Sequence, residues 1–251
     1  MTFTNTLALV LALAPATLFA APTRAADSIA HHMSRQEELG SIFDIPAPVL
    51  DVLKQTNGLC DLSRLVMPVA PTTALPGPAD GAVLRHIALG RGWQNYTCAS
   101  DSADVVPVAI GAVATLFNAT CDAARLNDNV LMQLTNLALK YNIPTGNYAD
   151  ERTSGHHYFD SKKTPTFDLR TADWNFGWVQ AMVDTKSPAP KDAEPGANGM
   201  GAVPWLKLNA VGGDYKNVYR LHTAGGNPPK TCAGLDSAFE VPYSAQYWFY
   251  A

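Results

Sequence analysis

The sequence predicts an all-β fold, a β-sandwich or barrel of jelly-roll type, with a short helical insertion near residues 123–141. Two observations carry that expectation. Short segments rich in β-branched and aromatic residues recur along the chain, parted by turn signals such as Gly212-Gly213-Asp214 and Gly225-Gly226-Asn227-Pro228-Pro229. One stretch breaks the pattern: Leu126, Val130, Leu134, Leu137, Ala138 and Tyr141 recur at helical spacing before Pro144-Thr145-Gly146 stops the run.

Taken in order, residues 1–20 read as a secretory signal peptide. They hold no charged side chain, Leu7 to Ala14 is unbroken apolar, and the small residues Ala16, Ala20 and Ala21 follow Pro15. Such a run is too short for a bilayer of about 30 Å but suits the apolar core of a leader. Residues 21–67 form an N-terminal segment with one short helical pattern, opened by Pro46-Ala47-Pro48 and continued by Val49, Leu50, Val52 and Leu53. A single β domain then occupies 68–251. Within it, Ala82–Leu89 alternates like a strand, Gly90-Arg91-Gly92 breaks it, and Trp93–Cys98 resumes it. Val105 to Phe117 is apolar almost throughout, the pattern of strand material buried on both faces or of two short strands hinged at Gly111. Further strands are expected at His157–Phe159, Thr166–Leu169, Trp205–Val211, Val218–Thr223, Phe239–Val241 and Gln246–Tyr250. Residues 186–200, rich in Pro, Gly and Ala, read as a mobile loop.

Composition narrows the environment and the partners. The 251 residues are 47% hydrophobic and only 16% charged, with a net charge of −4, which gives no electrostatic footprint for nucleic acid or an anionic membrane. No window after the leader is apolar enough for a transmembrane helix. Cys60, Cys98, Cys121 and Cys232 contain no C-x-x-C, so an even set behind a leader reads as two disulfides. The favoured pairing is Cys98–Cys121 with Cys60–Cys232. Asn95 and Asn118 each open a sequon and are glycosylation candidates, Asn118 being the better placed.

Chemistry-bearing residues cluster in strand material. Arg85, His86, Arg91 and Gln94 can orient a carboxylate or sugar hydroxyls, unless they are only the solvent face of the sheet. Trp174 and Trp178 lie among hydrogen-bonding side chains, a surface suited to stacking on sugar rings. His86, His157 and His222 fall on or beside strands, with Asp160, Asp168 and Glu240 at strand edges, so a barrel can converge imidazoles on a metal ion. Alternation along a strand turns either Arg85 or His86 toward apolar company, where a polar group needs a partner. The boldest expectation follows: segment Arg85–Tyr96 and the imidazole of His157 face one pocket. No G-x-S-x-G elbow occurs, and Gly90-Arg91-Gly92 is followed by extended residues rather than a helix, so no dinucleotide turn forms.

Several blocks carry a family resemblance. They are Arg85-His86-Ile87-Ala88-Leu89-Gly90-Arg91-Gly92 with Gln94-Asn95-Tyr96 and Cys98, then Ala109–Leu116, Gly155–Phe159, Trp205–Leu208, Tyr219-Arg220 with Thr223–Pro229, and Val241–Tyr250. Together, over about residues 68–251, they resemble the secreted, mainly fungal and bacterial family of domain of unknown function 3455. Members are often labelled malate dehydrogenase, which implies a dinucleotide fold that this sequence lacks. The resemblance brings no catalytic residues; it implies that Arg85–Cys98 and Thr223–Pro229 are structural or binding signatures.

The reading that fits these observations is a secreted, disulfide-bonded β domain binding a carbohydrate, cell-wall material or a small polar ligand. No cofactor is expected beyond a metal ion at the histidines. A metal-dependent extracellular enzyme using His86, His157 and His222 is the first alternative. A structural or host-interaction protein without a small ligand is the second.

Overall fold

A computed structural model describes residues 60–251. The leader reading of residues 1–20 and the short helical pattern around Val49–Leu53 lie outside the described residues. Eight antiparallel strands close into a barrel: β1 (Leu84–Thr97), β2 (Val108–Asn118), β3 (Thr153–Phe159), β4 (Pro165–Arg170), β5 (Asn175–Ser187), β6 (Trp205–Gly213), β7 (Asn217–Gly225) and β8 (Ala238–Tyr250). Each strand pairs with its neighbour in sequence, and β8 returns to β1. The all-β expectation holds. Of its two forms the chain takes the barrel, and its next-neighbour order lacks the crossing connections of a jelly roll.

The helical insertion is longer than its sequence period suggests. Between β2 and β3 lie α1 (Thr120–Arg125), α2 (Asp128–Lys140) and α3 (Asn147–Arg152). Helix α2 starts where the Asn127 side chain accepts the Val130 N–H at 3.0 Å, satisfying one of the orphan donors of its first turn. No helix among the described residues is long and apolar enough to cross a membrane.

Two apolar layers result. Phe167, Leu116, Tyr243, Tyr247 and Phe249 fill the barrel interior, leaving no wide lumen. A second cluster, including Ile87, Leu131, Trp205, Tyr219, Leu221 and Trp248, sits outside the wall, where α1 and α2 cover β1, β7 and β8. The docking is partly polar. Ser244 donates to the Thr135 carbonyl at 2.7 Å, and Gln246 donates to the Thr135 hydroxyl at 3.2 Å.

Several expectations require correction. The glycines at 90 and 92 do not end a strand, because β1 runs straight through them. They are there for close approach: a Cβ on Gly90 would stand 2.6 Å from the Tyr247 ring, and one on Gly92 would stand 1.9 Å from the Val113 carbonyl oxygen. Strand β2 is not buried on both faces; Ala112, Ala114 and Leu116 point inward while Val108, Ile110 and Val113 are exposed. Strand β8 continues past Pro242, because pairing with β7 ends at Tyr243 and the missing N–H falls on the open side. The long strand β5 was hidden by its loop-like start at Asn175. Residues 186–200 are tied down: Glu194 accepts from the Gly225 N–H, and Asn198 donates to the Asn227 carbonyl.

The disulfides pair differently from the expectation. Cys60 bonds Cys121, and Cys98 bonds Cys232. Cys98 follows β1, and the Cys98 N–H donates to the carbonyl of Ser237, at the head of β8. Barrel closure therefore brings Cys98 to the loop carrying Cys232. Cys121 lies beyond the far end of β2, an 11-residue strand that runs away from Cys98. At about 3.4 Å per residue that separation rules out a bond needing Cα atoms within about 7 Å.

Candidate ligand-binding site

The sequence-predicted polar residues divide among three environments. Arg85 is solvent-exposed, whereas His86 turns inward after a register shift between Leu84 and His86. The His86 ring stacks on Phe176 at 4.5 Å, with Nε2 3.1 Å from the Ser154 hydroxyl and Nδ1 3.2 Å from that of Thr120. Burial pushes its pKa down to about 3, so the imidazole is neutral and both nitrogens are engaged. It is a satisfied core histidine.

His222 sits outside the barrel against Trp205, and its Nε2 hydrogen-bonds Asp128 at the start of α2 at 2.9 Å. Burial lowers its pKa more than Asp128 raises it. His157 stacks on Phe167 inside the barrel. The expected metal set of His86, His157 and His222 is therefore not assembled. His222 lies outside the barrel wall, His86 and His157 are held in the interior by different partners, and no group of three His, Cys, Asp or Glu among the described residues is placed to hold a metal ion.

The tryptophans do not form a sugar-stacking platform together. Trp174 donates its indole N–H to the Glu151 carbonyl, fastening the β4–β5 turn to α3, and its ring packs on Phe176. Trp178 lies farther along β5 with the Arg170 guanidinium 5.9 Å from its ring. Neither lines a cavity described below.

Arg91 and Gln94 point to opposite sides of the barrel wall, so the single pocket expected for Arg85–Tyr96 and His157 does not exist. Gln94 and His157 share a small interior cavity. Arg91 faces outward, into a pocket of about 500 Å³ between the wall and the helices. Helix α2 presents Leu134, Leu137 and Ala138 to it, and β1 and β2 present Leu89 and Phe117. This explains the offset of the helical stripe: Leu131 and Thr135 dock on the barrel, while Leu137 and Tyr141 remain exposed because they line the open pocket. An apolar period in the sequence marked the helix but could not separate its core face from a ligand face.

Arg91 is the charged spot in that apolar enclosure. Only 7% of it is exposed, yet no carboxylate among the described residues pairs with it. Its Nη1 donates to the carbonyls of Gly92 and Tyr243 and its Nε to that of Tyr141. The two hydrogens on Nη2 have no acceptor among the described residues. Burial lowers the guanidinium pKa without approaching neutrality. The other charges at the rim, Arg152 and Asp122, are paired with each other.

Of the two sequons, one borders this pocket. Asn118 ends β2 at the pocket's edge, its side-chain oxygen accepting the Thr120 N–H, and Asn95 is half-buried in β1.

No curated protein and no solved structure matches the chain. The profile of one family matches residues 78–251, covering all eight strands, the helical insertion and both cavities. By that match the chain belongs to the family described as Protein of unknown function (DUF3455).

Proposed function

We propose that this chain is an extracellular binding protein for a small amphipathic molecule with an apolar body and one acidic group. The observation that carries the reading is Arg91, a buried guanidinium without a carboxylate partner in an apolar pocket. A buried cation is costly unless it is paired. Backbone carbonyls take three of its five N–H groups, leaving Nη2 to meet an incoming carboxylate by a charge-assisted hydrogen bond. The volume, about 500 Å³, lies within the usual range for small-molecule sites. Leu and Ala walls favour an apolar acid over the sugar that the sequence suggests, since they offer few partners for hydroxyl groups. The two disulfides support an oxidising, extracellular setting, and glycosylation at Asn118 or Asn95 belongs to the same reading.

Calorimetric titration with decanoate and with its methyl ester tests the proposal. Decanoate is expected to bind one to one, with the ester about tenfold weaker. Arg91→Gln should bring the two affinities together while leaving the ester's unchanged. Saturable binding of neither compound, or an unchanged preference in Arg91→Gln, overturns the reading. Intact mass of the naturally secreted protein reports leader removal and glycans in one measurement.

A further inference from the structure

The cavity inside the barrel is separate from the Arg91 pocket and has its own chemistry. It measures about 50 Å³, roughly the room of three or four waters, and is bounded by Gln94, Ala112, His157, Phe167, Arg220 and Tyr247 among others. No Asp or Glu borders it. Arg220, half-buried, donates Nε and Nη2 to the Pro204 carbonyl and has no acidic partner among the described residues. Gln94 is more than nine-tenths buried, and its amide nitrogen Nε2 has no hydrogen-bond partner among the described residues. A buried amide left without partners costs free energy that folding alone does not recover.

The state of His157 follows from its neighbours. Its Nδ1 lies 2.9 Å from the Thr166 carbonyl, an acceptor only, so Nδ1 carries the ring proton. Burial, helped by the charge of Arg220, holds its pKa down to about 4. In the neutral ring Nε2 is therefore a bare acceptor, and no donor among the described residues hydrogen-bonds it. The Tyr247 hydroxyl is engaged with that of Tyr243 at 2.9 Å. The groups left to meet a guest are thus the charge of Arg220, which also hydrogen-bonds Tyr247, the Gln94 amide nitrogen and one imidazole lone pair.

We propose that this cavity binds a small oxyanion that also carries an O–H, of which bicarbonate is the simplest member. The anionic oxygens would take Arg220 and the Gln94 amide N–H, and the O–H would donate to Nε2 of His157. A bare carboxylate such as formate satisfies Arg220 and Gln94 but supplies no donor to the imidazole. Chloride satisfies neither the shape nor the donor.

The test is calorimetry on the full disulfide-bonded protein at constant ionic strength, titrating sodium bicarbonate, sodium formate and sodium chloride at pH 8. Bicarbonate should show one saturable site, with formate several-fold weaker and chloride weaker still. Arg220→Gln should weaken bicarbonate about tenfold, and Gln94→Leu should weaken it several-fold. Gln94→Leu is a fold-preserving check should Arg220→Gln melt early through loss of the Pro204 contact. Arg91→Gln should leave bicarbonate binding untouched, which separates this site from the pocket proposed above. The proposal is overturned if no saturable bicarbonate site appears, meaning that water alone fills the cavity. Equal binding of bicarbonate and formate, or no effect of Gln94→Leu, overturns it as well.

Discussion

At the scale of single residues, the three buried histidines of the barrel region show how one side chain serves different ends. His86 is held by two hydroxyls, His157 by a carbonyl and His222 by a carboxylate, and burial lowers the pKa of all three. The consequence for stability has a definite sign. In the unfolded chain these rings take a proton near pH 6.5, whereas in the fold His157 does so at about 4 and His86 at about 3. Between those values the unfolded state binds more protons, so acid favours unfolding. Their contribution is complete above pH 6.5 and is lost progressively as the pH falls toward 4. Urea unfolding across that range should show stability declining by several kcal/mol, with a shallower decline in His86→Asn. A flat profile from pH 6.5 to 4.5 would count against neutral buried imidazoles. Arg91 and Gln94 were legible in the sequence as polar residues in strand material, but not the opposite faces they occupy. Arg220 entered the sequence reading only within the resemblance block Tyr219-Arg220, with no site role; its other signal was an arginine inside the apolar run from Val218 to Leu221.

At the scale of elements, the helical insertion is the feature that gives the barrel a ligand-sized space. Its attachment rests on one threonine as much as on apolar packing. The Thr135 carbonyl takes Ser244, its hydroxyl takes Gln246, and Gln246 in turn accepts from the Trp248 indole N–H at 3.2 Å. Thr135→Val keeps the shape and removes the hydroxyl, leaving the buried Gln246 amide short of an acceptor. A loss of about 1–3 kcal/mol is expected in chemical denaturation. Because α2 carries one wall of the Arg91 pocket, the same variant should weaken decanoate binding; full stability would show that this contact does not hold the helix. The helix itself was readable from its 3.6-residue period. The identity of its docking face was not, because pocket-lining and core residues are equally apolar.

At the scale of the whole molecule, the two disulfides bracket the insertion and the barrel seam. Cys60–Cys121 fastens the segment before the barrel to α1, and Cys98–Cys232 closes the loops where β1 meets β8. Loop-closure entropy assigns them up to about 4 and 5 kcal/mol for sequence separations of 61 and 134. Peptide mapping of the unreduced protein should recover Cys60 with Cys121 and Cys98 with Cys232, with no titratable thiol. Replacing Cys98 and Cys232 together by Ala should cost about 2–5 kcal/mol. A Cys98–Cys121 peptide would contradict the strand order itself.

What the sequence determined alone was whatever depends on neighbours along the chain. Strand-forming composition, punctuation by Gly and Pro, the period of α2 and the even cysteine set are local, and each led to the right class of structure. Closure of β8 onto β1 is not local. It joins residues at opposite ends of the domain, such as Leu84 with Tyr250, and it alone decides that Cys98 meets Cys232. The same closure decides the site. Alternation along β1 states only that Arg91 and Gln94 face opposite sides; curvature of the sheet makes one side a crowded interior and leaves the other to be roofed by helices. Side-chain chemistry was thus written in the order of residues, and its convergence was set by how the sheet shuts.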